Sequence, residues 1–463
     1  MDSFKRQDLD KQYSLKAAGL MSRTFEFIAS LRHLFRSSDF VYKVTETYGV
    51  KLIVLVLNMI THILIARVLG PEGRGEYASA LALCTVGVQF CTLGLHSSNA
   101  YYSARKADMV GYLLSNSFVT SFVYGSFFAI SMYLFFMIFP NLAPINGELL
   151  TLSLITLPVT LFYLLSSNIL IGLMKVRIFN IVEFLNKTIA LTCLFVLLYF
   201  GYNDSSYYVG TFMVGMLGSG ALVVYYLRQM PGRFGFSIAF FKKNLRYGFG
   251  AYISAFFSFV IMKIDILMIK SLLGSEAAGH YSVAVSLADV VYIFPTTVAL
   301  LLFSKLSAED DVWVRWSFTK KVCTYISALM ALIVGVSMVV GPYVVPGLFG
   351  SDYVASIQPF QWLTFAILVM SPSTVFQAFL GASGRSILMA ISPMIGSIFN
   401  IALNFYYIPK YGILGACYTS IGCYLITTVF SGLISFAYIK KYRSHDSEPP
   451  FASGDDGVHG QVI

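Results

Sequence analysis

Twelve runs of about twenty or more largely apolar residues, separated by short charged loops, constrain this chain more than any other feature. They fall at residues 48–68, 76–98, 112–139, 149–172, 176–200, 207–228, 247–270, 278–303, 323–346, 357–381, 386–408 and 412–439. A helix needs ~20 apolar residues to cross the hydrocarbon core of a bilayer. No water there can satisfy an open backbone, so each run is expected to be one membrane-spanning helix. The composition agrees. The chain is 57% hydrophobic and 12% charged, and a soluble domain carries roughly twice that charged share. The expected fold is all-α and integral to the membrane, with about twelve transmembrane helices.

Charge sets the expected orientation. Of the 32 Lys and Arg, 25 collect on one side, four (Arg67, Arg74, Lys270, Lys410) lie on the other, and Lys51, Lys187 and Lys263 fall inside spans. Positive loops stay cytoplasmic, so both termini are expected in the cytoplasm, as an even number of spans requires. Before the first span, apolar residues at helical spacing from Leu20 to Phe35 alternate with Lys16, Arg23, Arg32 and Arg36, the pattern of a basic amphipathic helix or a charged tail. The C-terminal residues from Ser444 are polar, with Pro, Gly and Asp, and read as a disordered tail.

The chain repeats itself. Leu69, Gly70, Glu72, Gly75 and Tyr77 recur 204 residues later as Leu273, Gly274, Glu276, Gly279 and Tyr281. Both copies join an outgoing run to a returning one, so the two halves run in the same direction. That predicts two six-helix lobes related by a pseudo-twofold axis along the membrane normal. The expected organisation is an N-terminal cytoplasmic segment (1–47), a first lobe (48–228), a cytoplasmic linker (229–246), a second lobe (247–440) and a tail (441–463).

Ionisable groups at membrane depth cost ~2.5–3.5 kcal/mol each on insertion scales, so each needs a reason. In the first span Lys51, Asn58 and His62 share one helical face. In the second, Thr85, Gln89, Thr92 and His96 do the same, and in the eighth Ser282, Ser286, Asp289 and Thr296. A water-filled cavity between the lobes accounts for all three faces. Lys263 and Asp265 in the seventh span point to nearly opposite sides, and the repeat does not decide which side meets the cavity. Glu183 and Lys187 stand at i, i+4 in the fifth span and read as a neutralised structural pair. Asp265 and Asp289 are candidates for ion coupling or for structural charge.

Six cysteines lie inside apolar runs without a CxxC pair, so neither disulfides nor a metal site is expected. No phosphate loop, HExxH, GxSxG or nucleotide fingerprint occurs, and no cofactor or nucleic-acid partner is expected. Short loops disfavour an ATP-driven pump or a hydrolase in one chain.

Three stretches carry a resemblance. Ala66-Arg67-Val68-Leu69-Gly70-Pro71-Glu72-Gly73-Arg74-Gly75-Glu76-Tyr77 closes the first span. Lys263-Ile264-Asp265 precedes Gly279-His280-Tyr281-Ser282-Val283-Ala284, and Asn404-Phe405-Tyr406-Tyr407-Ile408-Pro409-Lys410-Tyr411-Gly412-Ile413-Leu414-Gly415-Ala416 lies near the end. In this order, from about Tyr48 to Lys440, the chain resembles the polysaccharide transporter family of the multidrug/oligosaccharidyl-lipid/polysaccharide superfamily, the O-antigen and exopolysaccharide flippases. The resemblance implies a V-shaped pair of lobes whose cavity is lined by the first, second, seventh and eighth helices. It implies a polyprenyl-pyrophosphate-linked oligosaccharide as substrate, turned to the outer leaflet of a bacterial inner membrane for surface polysaccharide synthesis. Membrane lipid, a polysaccharide polymerase and chain-length machinery are the implied partners. A pyrophosphate needs cationic partners, for which Lys51, Lys187 and Lys263 are the candidates beside the polar Asn58, His62 and Gln89. Arginine is missing from the expected membrane interior, a departure from related flippases. Twelve spans rather than fourteen argue against the peptidoglycan-precursor branch. Two other functions are weighed: a cation-coupled multidrug exporter of the same fold, and an integral membrane glycosyltransferase or polymerase.

Overall fold

The computed structural model describes residues 38–446 apart from Asn146 and Pro231. The amphipathic helix expected over residues 20–36 and the tail beyond residue 446 lie outside the described residues. The described chain is helical throughout. We number the helices α1 (Ser38–Cys91), α2 (Leu95–Arg105), α3 (Val110–Ile138), α4 (Gly147–Gly172), α5 (Val176–Phe200), α6 (Ser205–Arg228), α7 (Ile238–Leu273), α8 (Ser275–Ser307), α9 (Val312–Phe349), α10 (Ile357–Ala382), α11 (Ser386–Tyr411) and α12 (Ile413–Asp446).

Among the described residues, eleven helices are long and apolar enough to cross a membrane. One of them covers two crossings. Inside α1, Gly70 adopts φ 66° and ψ −177°, outside the helical region, and Pro71 follows it. Twelve residues of straight helix would separate their Cα atoms by about 18 Å. Yet Arg74 Nη2 lies 3.0 Å from His62 Nδ1. The helix therefore doubles back at Gly70, and its arms (38–69 and 71–91) are the first and second spans.

The turn from α7 to α8 is the copy of this kink. Gly274, the repeat counterpart of Gly70, has φ 94° and ψ −177°. Four turn-adjacent groups then meet reciprocally. A Cβ on Gly75 would lie 1.8 Å from the Ser275 carbonyl oxygen, and a Cβ on Gly279 would lie 1.8 Å from that of Pro71. Pro71 and Ser275 are 204 residues apart, as are Gly75 and Gly279, so this contact maps onto itself under the pseudo-twofold axis. Small residues let helix backbones touch where lipid offers no hydrophobic drive to hold them together.

Each lobe has its own apolar core. In the first, Leu113, Ile169, Val182 and Val223 are fully buried together; in the second, Phe379, Leu380, Val345 and Ala416 are. Contacts between lobes run mainly through α1 and α2 on one side and α7 and α8 on the other. The expected linker over 229–246 runs into α7 without a break. Its second half is the first turns of α7, and its first half is strapped across the start of α3, with Gly235 N–H donating to Ser115 Oγ at 3.0 Å and Ser237 N–H to Asn116 Oδ1 at 3.3 Å. The second arm of α1 also ends sooner than expected. Leu93 and Gly94 have positive φ (47° and 78°) and break the helix, which takes His96 off the face that Thr85 and Gln89 share.

Alanine at Gly75 or Gly279 has no room unless the lobes part. Each substitution is expected to lower stability by ~1–3 kcal/mol, the usual cost of overpacking, read as a lower Tm of the purified protein. An unchanged Tm in both would mean that the helices do not touch there.

Candidate functional site

The seam between the lobes is closed at both ends by different means. At the end marked by Gly70, Arg74 reaches across it. Arg74 is only 2% exposed. Its Nε donates to Ser282 Oγ and its Nη2 to Ser286 Oγ, both at 3.1 Å, and Nη2 also meets His62 Nδ1. Nearby, Arg67 Nε and Nη2 donate to the carbonyls of Leu348 and Gly347, each at 2.7 Å, and Tyr353 Oη donates to the Ala66 carbonyl at 2.9 Å. At the linker end the closure is aromatic. Tyr101 and Tyr247 stack with ring centroids 3.9 Å apart, Phe90 meets Phe256 edge-on at 4.7 Å, and Gly94 touches Gly248 backbone to backbone.

Charge lies between these closures. Lys263 Nζ donates to Asp289 Oδ2 at 2.9 Å, with the two side chains 29% and 50% exposed. A pair this accessible contributes ~0–1 kcal/mol, so a ligand can take the lysine from it at little cost. His62 stands within electrostatic reach of Arg74, Lys187 and Lys263. Two of these cations come from the first lobe and one from the second, so they converge on one place across the seam.

The structure thus brings His62, Lys187, Lys263 and Asp289 together. It leaves Lys51 exposed on the first arm of α1, and Asn58 and Gln89 half-buried. Glu183 and Lys187 do not form the expected ion pair. Glu183 Oε1 instead accepts from Tyr163 Oη at 2.6 Å, and among the described residues Lys187 has no carboxylate within ion-pair distance. Glu183 remains its electrostatic neighbour without a direct contact.

Asp265 faces the other way. It is 2% exposed inside the second lobe and accepts hydrogen bonds from Tyr281 Oη (2.9 Å), Asn404 Nδ2 (2.7 Å) and Ser420 Oγ (2.9 Å). These donors come from α8, α11 and α12. Burying a carboxylate is costly unless hydrogen bonds or a cation replace its water, and among the described residues no basic side chain pairs with it. The face of α7 that meets the seam is therefore the one carrying Lys263.

Sequence reasoning missed Arg74, counting it with the loop residues of one side. The repeat held the signal. Arg74 aligns with Ala278 and stands four residues past the glycine, already within a helix rather than in a loop. The interior of the helical bundle therefore does contain an arginine.

A family model described as polysaccharide biosynthesis protein matches residues 41–306, more than half of the chain. The chain belongs to this family. An uncharacterized membrane protein of Methanocaldococcus jannaschii is 24% identical over 202 residues, which cover 42% of this chain and 40% of that protein. Among solved structures, the lipid II flippase MurJ in an inward closed conformation superposes with a TM-score of 0.69 at 14% identity, over 89% of this chain and 94% of that one. An inward-facing multidrug resistance transporter of the MATE family gives 0.64 at 16% identity, over 85% and 95%. A MOP superfamily transporter from Pyrococcus furiosus gives 0.63 at 14% identity, over 88% and 96%. The chain therefore has the all-α fold of these transporters, and it is a multi-pass membrane protein.

A cysteine placed at Asp289 is expected to react with a water-soluble maleimide in the folded protein, at least about tenfold faster than native Cys417. Cys417 is fully buried and buried thiols react slowly. Equal protection of both thiols would show that the seam holds no water.

Proposed function

We propose that the chain turns a polyprenyl-pyrophosphate-linked oligosaccharide from the cytoplasmic to the outer leaflet by alternating access, for surface polysaccharides such as O-antigen or exopolysaccharide. One observation carries this reading: Arg74 from the first lobe contacts His62 at the seam, Lys263 from the second and Lys187 from the first lie within electrostatic reach of the same histidine, and the chain belongs to a family of polysaccharide biosynthesis proteins. A pyrophosphate is held best by several cations whose hydrogen bonds to it are charge-assisted. Lys263 is open to it, because only an exposed carboxylate competes for its charge. A multidrug exporter that takes cationic drugs would need the opposite charge here.

Lys and Arg crowd the linker end and the chain's termini, which puts that end in the cytoplasm of a bacterial inner membrane under this reading. A polysaccharide polymerase and chain-length machinery would take up the product. Asp265 supplies the coupling: a carboxylate buried among neutral donors changes its hydrogen bonds when it takes up a proton or a monovalent cation, and it ties α7 to α8, α11 and α12. Asp289 serves as the resting counterion of Lys263.

A deletion strain that accumulates lipid-linked intermediate tests the reading. Supplying this chain is expected to restore surface polysaccharide and clear the intermediate, and drug resistance without either effect would overturn it. Lys263→Ala is expected to cut export roughly 10- to 100-fold, the range of one charged hydrogen bond, with normal insertion; undiminished export removes Lys263 from the site. Asp265→Asn, which keeps the size and loses the charge, is expected to uncouple export from the proton or sodium gradient. Export that still collapses with the gradient in this variant would assign coupling elsewhere.

A further inference from the structure

A second feature lies on the outer flank of the same helices. Leu55, Val56, Met59, Ile60 and Ile63 of α1, with Leu287, Val290, Val291, Leu348 and Phe360, line an open groove of about 500 Å³ without a polar side chain among them. On α1 the stripe Val56, Ile60, Ile63 continues at helical spacing to Arg67, about 150° around the helix from the face of Asn58 and His62. On α8 the groove residues lie similarly to one side of Ser286 and Asp289. The two helices therefore show polar faces to the seam and an apolar channel to lipid.

Arg67 closes the end of this channel beside Leu348. Its Nε and Nη2 are fixed on the carbonyls at the C-terminus of α9, where helix carbonyls lack intrahelical partners. Among the described residues that leaves Nη1 of an exposed guanidinium for a further acceptor. At roughly 30 Å³ per heavy atom, the share of a water molecule in the liquid, a five-carbon isoprene unit needs about 150 Å³, so the groove seats about three.

We propose that this groove and Arg67 together dock the polyprenyl phosphate of the substrate at the Gly70 end, with the isoprenoid chain in the groove and the lipid phosphate on Arg67. The inference rests on the flippase reading and adds a lipid site to it. Bilayer chains are as apolar as the groove, so selection comes from the fit of a branched, unsaturated chain together with a phosphate at a fixed distance, both of which a polyprenyl pyrophosphate brings.

The test uses the full chain in nanodiscs containing phosphatidylglycerol, with a long-chain polyprenyl pyrophosphate and inorganic pyrophosphate, which has no chain to seat, as probes. Filling the groove with Ile63→Trp and Val290→Trp is expected to weaken the long-chain ligand about tenfold and leave inorganic pyrophosphate unchanged, whereas Arg67→Gln weakens both about tenfold. Should the double variant not insert, Val56→Phe, at a position 55% exposed, carries the same test. Long-chain binding that ignores groove filling, or that phosphatidylglycerol displaces at equal mole fraction, overturns the proposal. The two readings fail separately. A wild-type chain that never restores surface polysaccharide sinks the flippase, while restored export with binding blind to the groove sinks this site alone.

Discussion

Everything in this architecture depends on two helix starts touching backbone to backbone, Gly75 on the Ser275 carbonyl and Gly279 on that of Pro71. In lipid, helices gain nothing from hiding apolar surface, so contact between them must come from close packing and hydrogen bonds. Glycine supplies the first, because only a missing Cβ lets a carbonyl come this near. Arg74 supplies the second from one residue away, bonded to Ser282 and Ser286. The contact is its own image under the pseudo-twofold axis, so each lobe can tilt about it equivalently. Closure at the linker end is not related to itself by the 204-residue offset; it combines rings such as Tyr101 and Tyr247 with the Gly94–Gly248 backbone contact and one hydrogen bond from Tyr252 Oη to the Phe90 carbonyl.

Much of this was legible in the sequence because lipid makes a simple demand on it. The spans over 176–200 and 149–172 match α5 and α4 closely, since an apolar run between charged loops has one stable outcome. The repeat from Leu69 to Tyr77 predicted a geometric pair, and Gly70 and Gly274 share a ψ of −177°. Local patterns failed where tertiary packing decides. Arg74 follows Gly-Pro and lies beside Glu72 and Glu76, which looks like a polar loop, yet α8 buries it. Thr85 and His96 share a helical period until Leu93 and Gly94 break it. Glu183 has a lysine at i+4, the arrangement that favours an ion pair in an isolated helix, but Tyr163 from α4 reaches it first. Lys263 and Asp265 could be placed on opposite faces but not assigned to seam and core, because that choice belongs to α11 and α12.

The backbone is symmetric and the chemistry is not. By the 204-residue offset, Asp265 corresponds to Thr61, Lys263 to Met59, His62 to Ile266 and Arg74 to Ala278. The first lobe thus brings Arg74, His62 and Lys187 to the seam, and the second brings Lys263 with its counterion while keeping a carboxylate in its own interior. A symmetric skeleton needs only one kind of motion to open either end. Asymmetric side chains decide what each opening releases. Parting at the Gly70 end takes Ser282 and Ser286 away from Arg74, whose Nη1 already has no partner among the described residues. A guanidinium stripped of its acceptors must find others, water or an anion, since leaving such donors unmet costs ~1–3 kcal/mol each and more for a charged group. Closing that end again restores the serines and competes with whatever anion Arg74 had gained. The latch that joins the lobes and the cation that faces the seam are then one residue, and its two sets of partners exclude each other.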